Sequence, residues 1–248
     1  MAAAQTLVVI PVYNHAQAIA ALVDRIGAHG VAVLLVDDGS NAPCAEVLDQ
    51  LTAEYDSVSL LRLSPNQGKG AAVMAGMREA GRRGYSHVLQ IDADGQHNSD
   101  DIPGFLADSA EHPDAVISGC PVYDQSVPKG RLYGRYLTHV WVWINTLSLQ
   151  IRDSMCGFRV YPLAATLALL NRAQIGRRMD FDVEILVRLH WQGVPIRNRP
   201  TRVIYPEDGV SHFQLWRDNA RISKMHARLF FGMLLRMPQL LWRKLDAR

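Results

Sequence analysis

The chain has 248 residues, of which 48% are hydrophobic and 20% charged; that balance suits a globular protein with a good core and excludes a disordered chain. The formal net charge is only +2, but residues 1–128 carry 6 Lys/Arg against 16 Asp/Glu, and residues 129–248 carry 20 against 8. An acidic first half suits metal binding and a basic second half suits phosphate groups or an anionic membrane surface, while no nucleic-acid partner is expected.

The start "MAAAQTLVVIPVYN" has no basic leader region and enters a strand pattern at once, so no secretory leader is expected. Cys44, Cys120 and Cys156 are far apart and odd in number. That spacing fits reduced thiols in the cytoplasm and offers no metal-ligand pattern. "TLVVIPVY" reads as a buried strand, and residues 14–27 as a helix with Ile19, Leu22, Val23 and Ile26 on one face. "VAVLLVDDGS" is a second strand, followed by a helix over residues 43–55. "VSLLRLS" is a third strand, "GKGAAVMAGMREAGRRG" a third helix and "HVLQIDAD" a fourth strand. Alternation of this kind predicts a mainly parallel sheet with helices on both faces.

After Pro121 the pattern changes. "CPVYDQSVPKGRLYGRY" reads as loop, and "LTHVWVWINTLSLQI" as an apolar helix. That helix is shorter than the ~20 apolar residues a membrane span needs. "RDSMCGFRVYP" is a loop entering a strand, "MDFDVEILVRLHWQG" a helix, "IRNRPTRVIY" a strand and "PEDGVSHF" a turn. Residues 215–245 read as a basic helix. Arg217, Arg221, Lys224 and Arg228 recur on it at helical spacing, and so do Ile222, Met225, Leu229 and Met233. Such a helix either lies on an anionic bilayer or packs on the core with a solvated basic face.

Ligands of parallel sheets bind at the carboxyl ends of the strands. Residues 11–14, Asp37-Asp38-Gly39-Ser40, residues 66–70 and Asp92-Ala93-Asp94 all fall at such ends and are expected on one rim. Asp92 and Asp94, one residue apart where an apolar strand stops, can share a divalent cation, with Gln96 adding a carbonyl oxygen. Hard oxygen ligands suit Mg2+ or Mn2+. The competing reading makes both aspartates turn formers beside Gly95. Asp37 and Asp38 can accept hydrogen bonds from a nucleobase or ribose, or cap the next helix. Gly68-Lys69-Gly70 lacks Walker spacing, but it permits close backbone approach with Lys69 reaching a phosphate.

"VVIPVYNHAQAI", "VLLVDDGSN", "NQGKGAAVMAGM", "VLQIDADGQH" and "CGFRVY" together resemble the inverting family 2 glycosyltransferases of the GT-A fold, and among them the dolichyl-phosphate mannosyltransferase-like branch. The resemblance implies an α/β Rossmann-like mixed sheet over residues 1–213. Within it, residues 1–119 form the nucleotide and metal half and 120–213 the acceptor half. Residues 214–248 form a basic amphipathic tail. It implies that Pro11, Tyr13, Asn14, Asp37, Asp38, Lys69 and Asp92 line the nucleotide pocket, and that Asp92, Asp94 and Gln96 hold Mg2+ or Mn2+ and the diphosphate of a UDP- or GDP-hexose. Ser154, Gly157 and Arg159 fall beside sugar and acceptor, and Arg202 grips an acceptor phosphate next to the turn ending at His212. The chain departs from the family pattern at His15, Pro121 and His212.

The implied reaction is displacement at the anomeric carbon, with Asp94, Asp182 and Arg159 as catalytic candidates. A polyprenyl-phosphate acceptor arrives ionised and needs cationic positioning, for which Arg131, Arg135, Arg159 and Arg202 are candidates. A hydroxyl acceptor on a glycan or glycolipid needs a base, and Asp182 is the first choice; as the alternative, Asp182 is a helix-start carboxylate. The expected site of action is the cytoplasm, on the inner face of the cytoplasmic membrane. A non-catalytic nucleotide-sugar sensor stays open. A dinucleotide oxidoreductase is disfavoured because no GxGxxG follows the first strand.

Overall fold

Along the first strand Leu7 and Val9 face one way and Val8, Ile10 and Val12 the other, and all five are buried. A strand apolar on both faces must lie inside a sheet covered on both sides. The computed structural model describes residues 5–123, 129–203 and 214–246, and shows that arrangement. The strands are β1 (Thr6–Val12), β2 (Val33–Asp37), β3 (Val58–Arg62), β4 (His87–Gln90), β5 (Val116–Tyr123), β6 (Arg159–Pro162) and β7 (Ile196–Val203). They form one seven-stranded sheet in the order β3-β2-β1-β4-β6-β5-β7. β6 runs antiparallel to β4 and β5, and the other pairings are parallel.

The helices are α1 (Ala16–Gly27), α2 (Ala42–Glu54), α3 (Lys69–Arg82), α4 (Ile102–Glu111), α5 (Lys129–Thr146), α6 (Leu163–Arg172), α7 (Phe181–Trp191) and α8 (Leu215–Asp246). Apolar residues of α1, α2 and α4 pack with Val8, Ile10, Val33 and Leu35 on one face of the sheet. Those of α3, α5, α6, α7 and α8 pack with Leu7, Val9, Leu34 and Val36 on the other. Met225, Leu229, Met233 and Leu240 of α8 belong to this second cluster, so α8 buries a face on the core. The α/β class, the mixed sheet and the helices on both faces agree with the expectation.

Several boundaries differ from it. Of the loop expected over residues 120–136, residues 120–123 are the end of β5 and 129–136 the start of α5, and the rest lie outside the described residues. Pairing of β5 with β6 is confined to Ile117 and Ser118, whereas pairing with β7 runs on to Tyr123. Pro121 therefore sits where β5 has one free side, which a residue lacking an N–H tolerates. The fourth strand stops at Gln90, so Asp92 and Asp94 lie beyond the ladder. The first helix begins at Ala16 because Asn14 adopts a left-handed φ of 57°, which Asn tolerates better than most residues. Helices α4 and α6 were not anticipated; each has 10 residues and only three or four buried positions. The turn expected at residues 206–213 lies outside the described residues.

The seam between α5 and α8 contains a buried histidine. His226 Nδ1 lies 3.3 Å from Asn145 Nδ2, and its Nε2 has no hydrogen-bond partner among the described residues. Burial pushes the His226 imidazole down to about 4 from 6.5. The folded state thus excludes a proton that the unfolded chain takes up, and stability should fall as pH drops from 6.5 towards 4. In His226→Gln, which keeps a polar partner for Asn145, the melting temperature should fall less between pH 7 and pH 5 than in the parent chain; equal falls would refute the assignment.

Candidate active site

The carboxyl ends of β1, β2 and β4 meet as the sheet topology requires. Asn14 N donates to Ser40 Oγ at 3.1 Å, and Asn41 N donates to Asn14 Oδ1 at 2.8 Å. These bonds lock the loop after β1 to the loop after β2. Asn41 also caps α2 by accepting from Cys44 N. Asp37 accepts from Ser40 N and Arg62 Nε. Asp38 accepts from Asn66 Nδ2, Gln67 N and Gly68 N. Both aspartates are buried, and in this structure they brace the rim instead of facing out from it. Pro11 is buried, while Tyr13 and Asn14 are half-buried. Gly68, with φ 102°, lets residues 66–68 wrap Asp38 and lets Arg177 and Arg178 approach. A side chain there would meet the Arg177 carbonyl and the Arg178 side chain.

A buried chain of polar groups runs beneath the DxD pair. Lys69 opens α3, and its Nζ lies 2.8 Å from Asp92 and 2.8 Å from Asp182, at the start of α7. Burial alone would push the Lys69 ammonium down, but the charges of Asp182 and Asp92 outweigh it and hold the group protonated. Asp182 Oδ1 accepts from Gln90 Nε2 at 2.9 Å. Gln90 in turn accepts from Tyr161, and Arg159 donates to Tyr161 Oη and to the Asp182 carbonyl. Lys69 is thus an internal cation between two carboxylates, and Arg159 is wholly buried beneath them. Burial raises the Asp92 carboxyl, yet Lys69 and His97 pull it below its usual range. Burial and the charge of Asp92 hold Asp94 above its own.

These groups open onto one pocket. Asp92, Asp94, Gln96 and His97 form one wall; Pro121, Arg135, Cys156 and Gly157 are among the residues that complete it. Asp92 Oδ1 is buried with no well-aligned hydrogen-bond donor, although Lys69 Nζ is 2.8 Å away. A Cβ at Gly157 would collide with the Asp92 carboxylate, so glycine keeps that space open. Among the described residues no group of three His, Cys, Asp or Glu could hold a metal alone. Two carboxylates and an amide oxygen fit Mg2+ or Mn2+, which complete their shells with substrate phosphate and water.

Helix α5 contributes Arg135 to the same pocket. Its guanidinium makes a two-pronged contact of 2.7 Å with Asp153, which also accepts from Met155 N and Cys156 N. His139 Nε2 lies 3.3 Å from Asp153, and its Nδ1 3.3 Å from Ser154 Oγ. Despite burial, His139 and Arg135 hold the Asp153 carboxyl far below the usual range. One carboxylate thus fixes both the cation and the turn that carries Gly157. Ser154 is fully buried against His139, and Arg202 on β7 is exposed, outside the pocket-lining set. The Arg131 side chain and His212 lie outside the described residues.

The sequence reading missed Asp153, His97 and the pair Arg177 and Arg178. Asp153 directly precedes the recognised Ser154, and His97 closes the recognised "DADGQH", so nearness to a motif was the available signal. Arg177 and Arg178 bond Gln67 and Asn66 across more than a hundred residues, and no local pattern announces that.

Gly157→Ala should lower kcat/KM about a hundredfold by displacing Asp92, with a rise in the divalent-cation concentration needed for half-maximal rate; an unaffected variant would remove Gly157 from the site. Asp153→Ala should cost about 3–5 kcal/mol in denaturant unfolding, because it removes the buried acceptor shared by Arg135, His139 and two backbone N–H groups; a loss under about 1 kcal/mol would show that the pair behaves as a surface contact.

Comparison with known proteins agrees with this geometry. The family model described as glycosyl transferase family 2 matches residues 7–175. A polyprenol monophosphomannose synthase from Mycolicibacterium smegmatis is 31% identical over 84% of this chain and 80% of its own length. An undecaprenyl-phosphate mannosyltransferase from Micrococcus luteus is 27% identical over 84% of this chain and 86% of its own. Glucosyl-3-phosphoglycerate synthase from Mycobacterium tuberculosis, solved with Mn2+ and UDP-glucose, superposes with a TM-score of 0.68 at 12% identity, over 92% of this chain and 78% of that one. The last shows the shared GT-A fold alone. A family model spanning more than half the chain, with a relative above 30% identity across most of it, shows that this chain belongs to glycosyl transferase family 2 and is a glycosyltransferase.

Proposed function

We propose that this chain transfers a hexosyl unit, mannosyl in the two named relatives, from a nucleoside-diphosphate sugar to a polyprenyl-phosphate lipid at a membrane surface. The observation that carries the reading is one pocket lined by Asp92, Asp94 and Gln96 together with Arg135. The carboxylates and the amide suit a divalent ion and a diphosphate, and the guanidinium an anionic acceptor. A bound Mg2+ or Mn2+ would offset charge on the departing diphosphate.

The chain's own residues do the rest. Residues 1–119 form the donor side, with Tyr13, Asn14 and the loops braced by Asp37 and Asp38 shaping the nucleotide pocket. Residues 120–213 form the acceptor side, with Arg131, Arg135, Arg202 and His212 as the positions that meet the acceptor phosphate. Arg135, held by Asp153, aims that phosphate at the anomeric carbon. A phosphate oxygen forms the new bond to carbon from the opposite face, the carbon–diphosphate bond breaks, and the nucleoside diphosphate leaves with the electron pair.

Asp182 favours the phosphate acceptor over a hydroxyl. Its side chain is 6% exposed, with one oxygen on Lys69 and the other on Gln90. A carboxylate held in this way is poorly placed to take a proton, and an acceptor that arrives ionised requires none. Lys69, for the same reason, stabilises the site from below and does not reach out to a phosphate. Arg159 acts through Tyr161 and the Asp182 backbone.

With GDP- or UDP-hexose labelled in the sugar, a polyprenyl phosphate and Mn2+, label should enter a mild-acid-labile lipid. Asp94→Asn should lower that rate about a hundredfold to a thousandfold at unchanged melting temperature. Label only in an acid-stable product would overturn the lipid-phosphate acceptor, and full activity of Asp94→Asn would overturn the metal site.

A further inference from the structure

A helix packed on one core needs one apolar face. The second half of α8 has two. Met225, Leu229, Met233 and Leu240 are buried in the core on the side that packs on α5 and α7. Phe231 lies two residues from both Leu229 and Met233, about 200° round the helix, and is 65% exposed. Leu234, Leu235, Leu241, Trp242 and Leu245 continue its stripe at helical spacing, and all are exposed, Leu235 at 83%. Helix α5 also turns an apolar stripe outward. Val142, Asn145 and Thr146 face inward, while Tyr133, Tyr136, Leu137, Trp141 and Ile144 face outward. The stripes meet at Trp141, whose ring lies 6.3 Å from Phe230, itself 5.9 Å from Phe231.

We propose that these two outward stripes form one docking surface for an anionic lipid bilayer, on which the protein lies without crossing. Among the described residues no helix is long and apolar enough to span a membrane, so the stripe fits an interfacial helix. Charge selects the occupant. Residues 215–246 carry seven Lys/Arg and two Asp/Glu, and Asp218 is already taken by Arg221 and Gln214 N. Arg217 and Lys224 are exposed on the first half of α8, on the side that carries the apolar stripe, and Lys244 is exposed near its end. That surplus complements lipid phosphates and repels a second copy of the same helix. Trp216, Trp242, Tyr133 and Tyr136 are the amphipathic rings that settle at headgroup depth.

The surface deepens the lipid-phosphate reading on which its purpose rests. Arg135 reaches the pocket from the inner side of α5, while its neighbours Tyr136 and Leu137 are exposed on the outer side. One helix, about 10 Å thick, therefore separates the pocket from the bilayer.

The test needs neither donor nor acceptor. The full chain is floated with vesicles of phosphatidylcholine alone or mixed with phosphatidylglycerol, alongside Leu235→Gln/Trp242→Gln and Arg217→Gln/Lys224→Gln/Lys244→Gln. The parent chain should bind the mixed vesicles at least about tenfold better than the neutral ones, and each variant should lose about tenfold. Tryptophan fluorescence should be quenched by brominated lipid in the parent but much less in the first variant. Melting temperatures, and turnover on a short water-soluble polyprenyl phosphate, should not change. No binding to mixed vesicles, or undiminished binding by the first variant, would overturn the surface. So would a dimer in light scattering that the first variant abolishes, since a second copy would then cover the face. Vesicle binding without sugar transfer to any lipid phosphate would support the surface and sink the proposed function; transfer to the soluble acceptor without vesicle binding would do the reverse.

Discussion

The site depends on a single ammonium group. Lys69 stands between Asp92 and Asp182, 2.8 Å from each, and these three residues come from α3, the loop after β4 and the start of α7. Two carboxylates withdrawn from water beside a third, Asp94, would repel one another and drive protonation. The lysine prevents this for Asp92 and leaves Asp94 as the strained member, raised by burial and by its neighbour's charge. A divalent cation entering the pocket would relieve that strain. The fold thus neutralises one carboxylate internally and leaves the other for a ligand.

A second carboxylate organises another part of the pocket by the same physics. Asp153 accepts from Arg135, from His139 and from two backbone N–H groups. This locks the cation on α5 to the turn carrying Gly157, and Gly157 in turn leaves room for Asp92. The turn held by Asp153 and the Asp92 carboxylate therefore meet at one glycine. Glu184, buried on α7, does comparable work away from the pocket, pairing with Arg188 and with Arg228 of α8. The basic tail is thereby pinned to the core, and its apolar outer stripe is held at a set angle to the site.

Much of the first half was legible because its signals are local. Buried strands read as short β-branched runs, and the motif at each strand end lies on the rim, as a parallel sheet requires. The second half was harder. Pro121, Gly130 and Gly134 suggested a loop where β5 and α5 lie, because the free side of β5 is a property of strand order, invisible in the residues themselves. Helix α6, with only four buried residues, left little periodic trace.

The sequence alone determined the α/β class, the convergence of residues 11–14, 37–40, 66–70 and 92–94, and the acidic pair able to hold a metal, since each follows from period, strand ends and residue chemistry within a few positions. Tertiary structure alone decided what those residues touch. Nothing near Lys69 announces that its ammonium meets Asp182, 113 residues away, at 2.8 Å. Asp37 and Asp38 turned inward to hold backbone amides, and Arg159 sank beneath the site. Such pairings depend on which helix follows which strand across the sheet, and on burial that makes every unpaired charge costly. Neither quantity is written in a local stretch of residues.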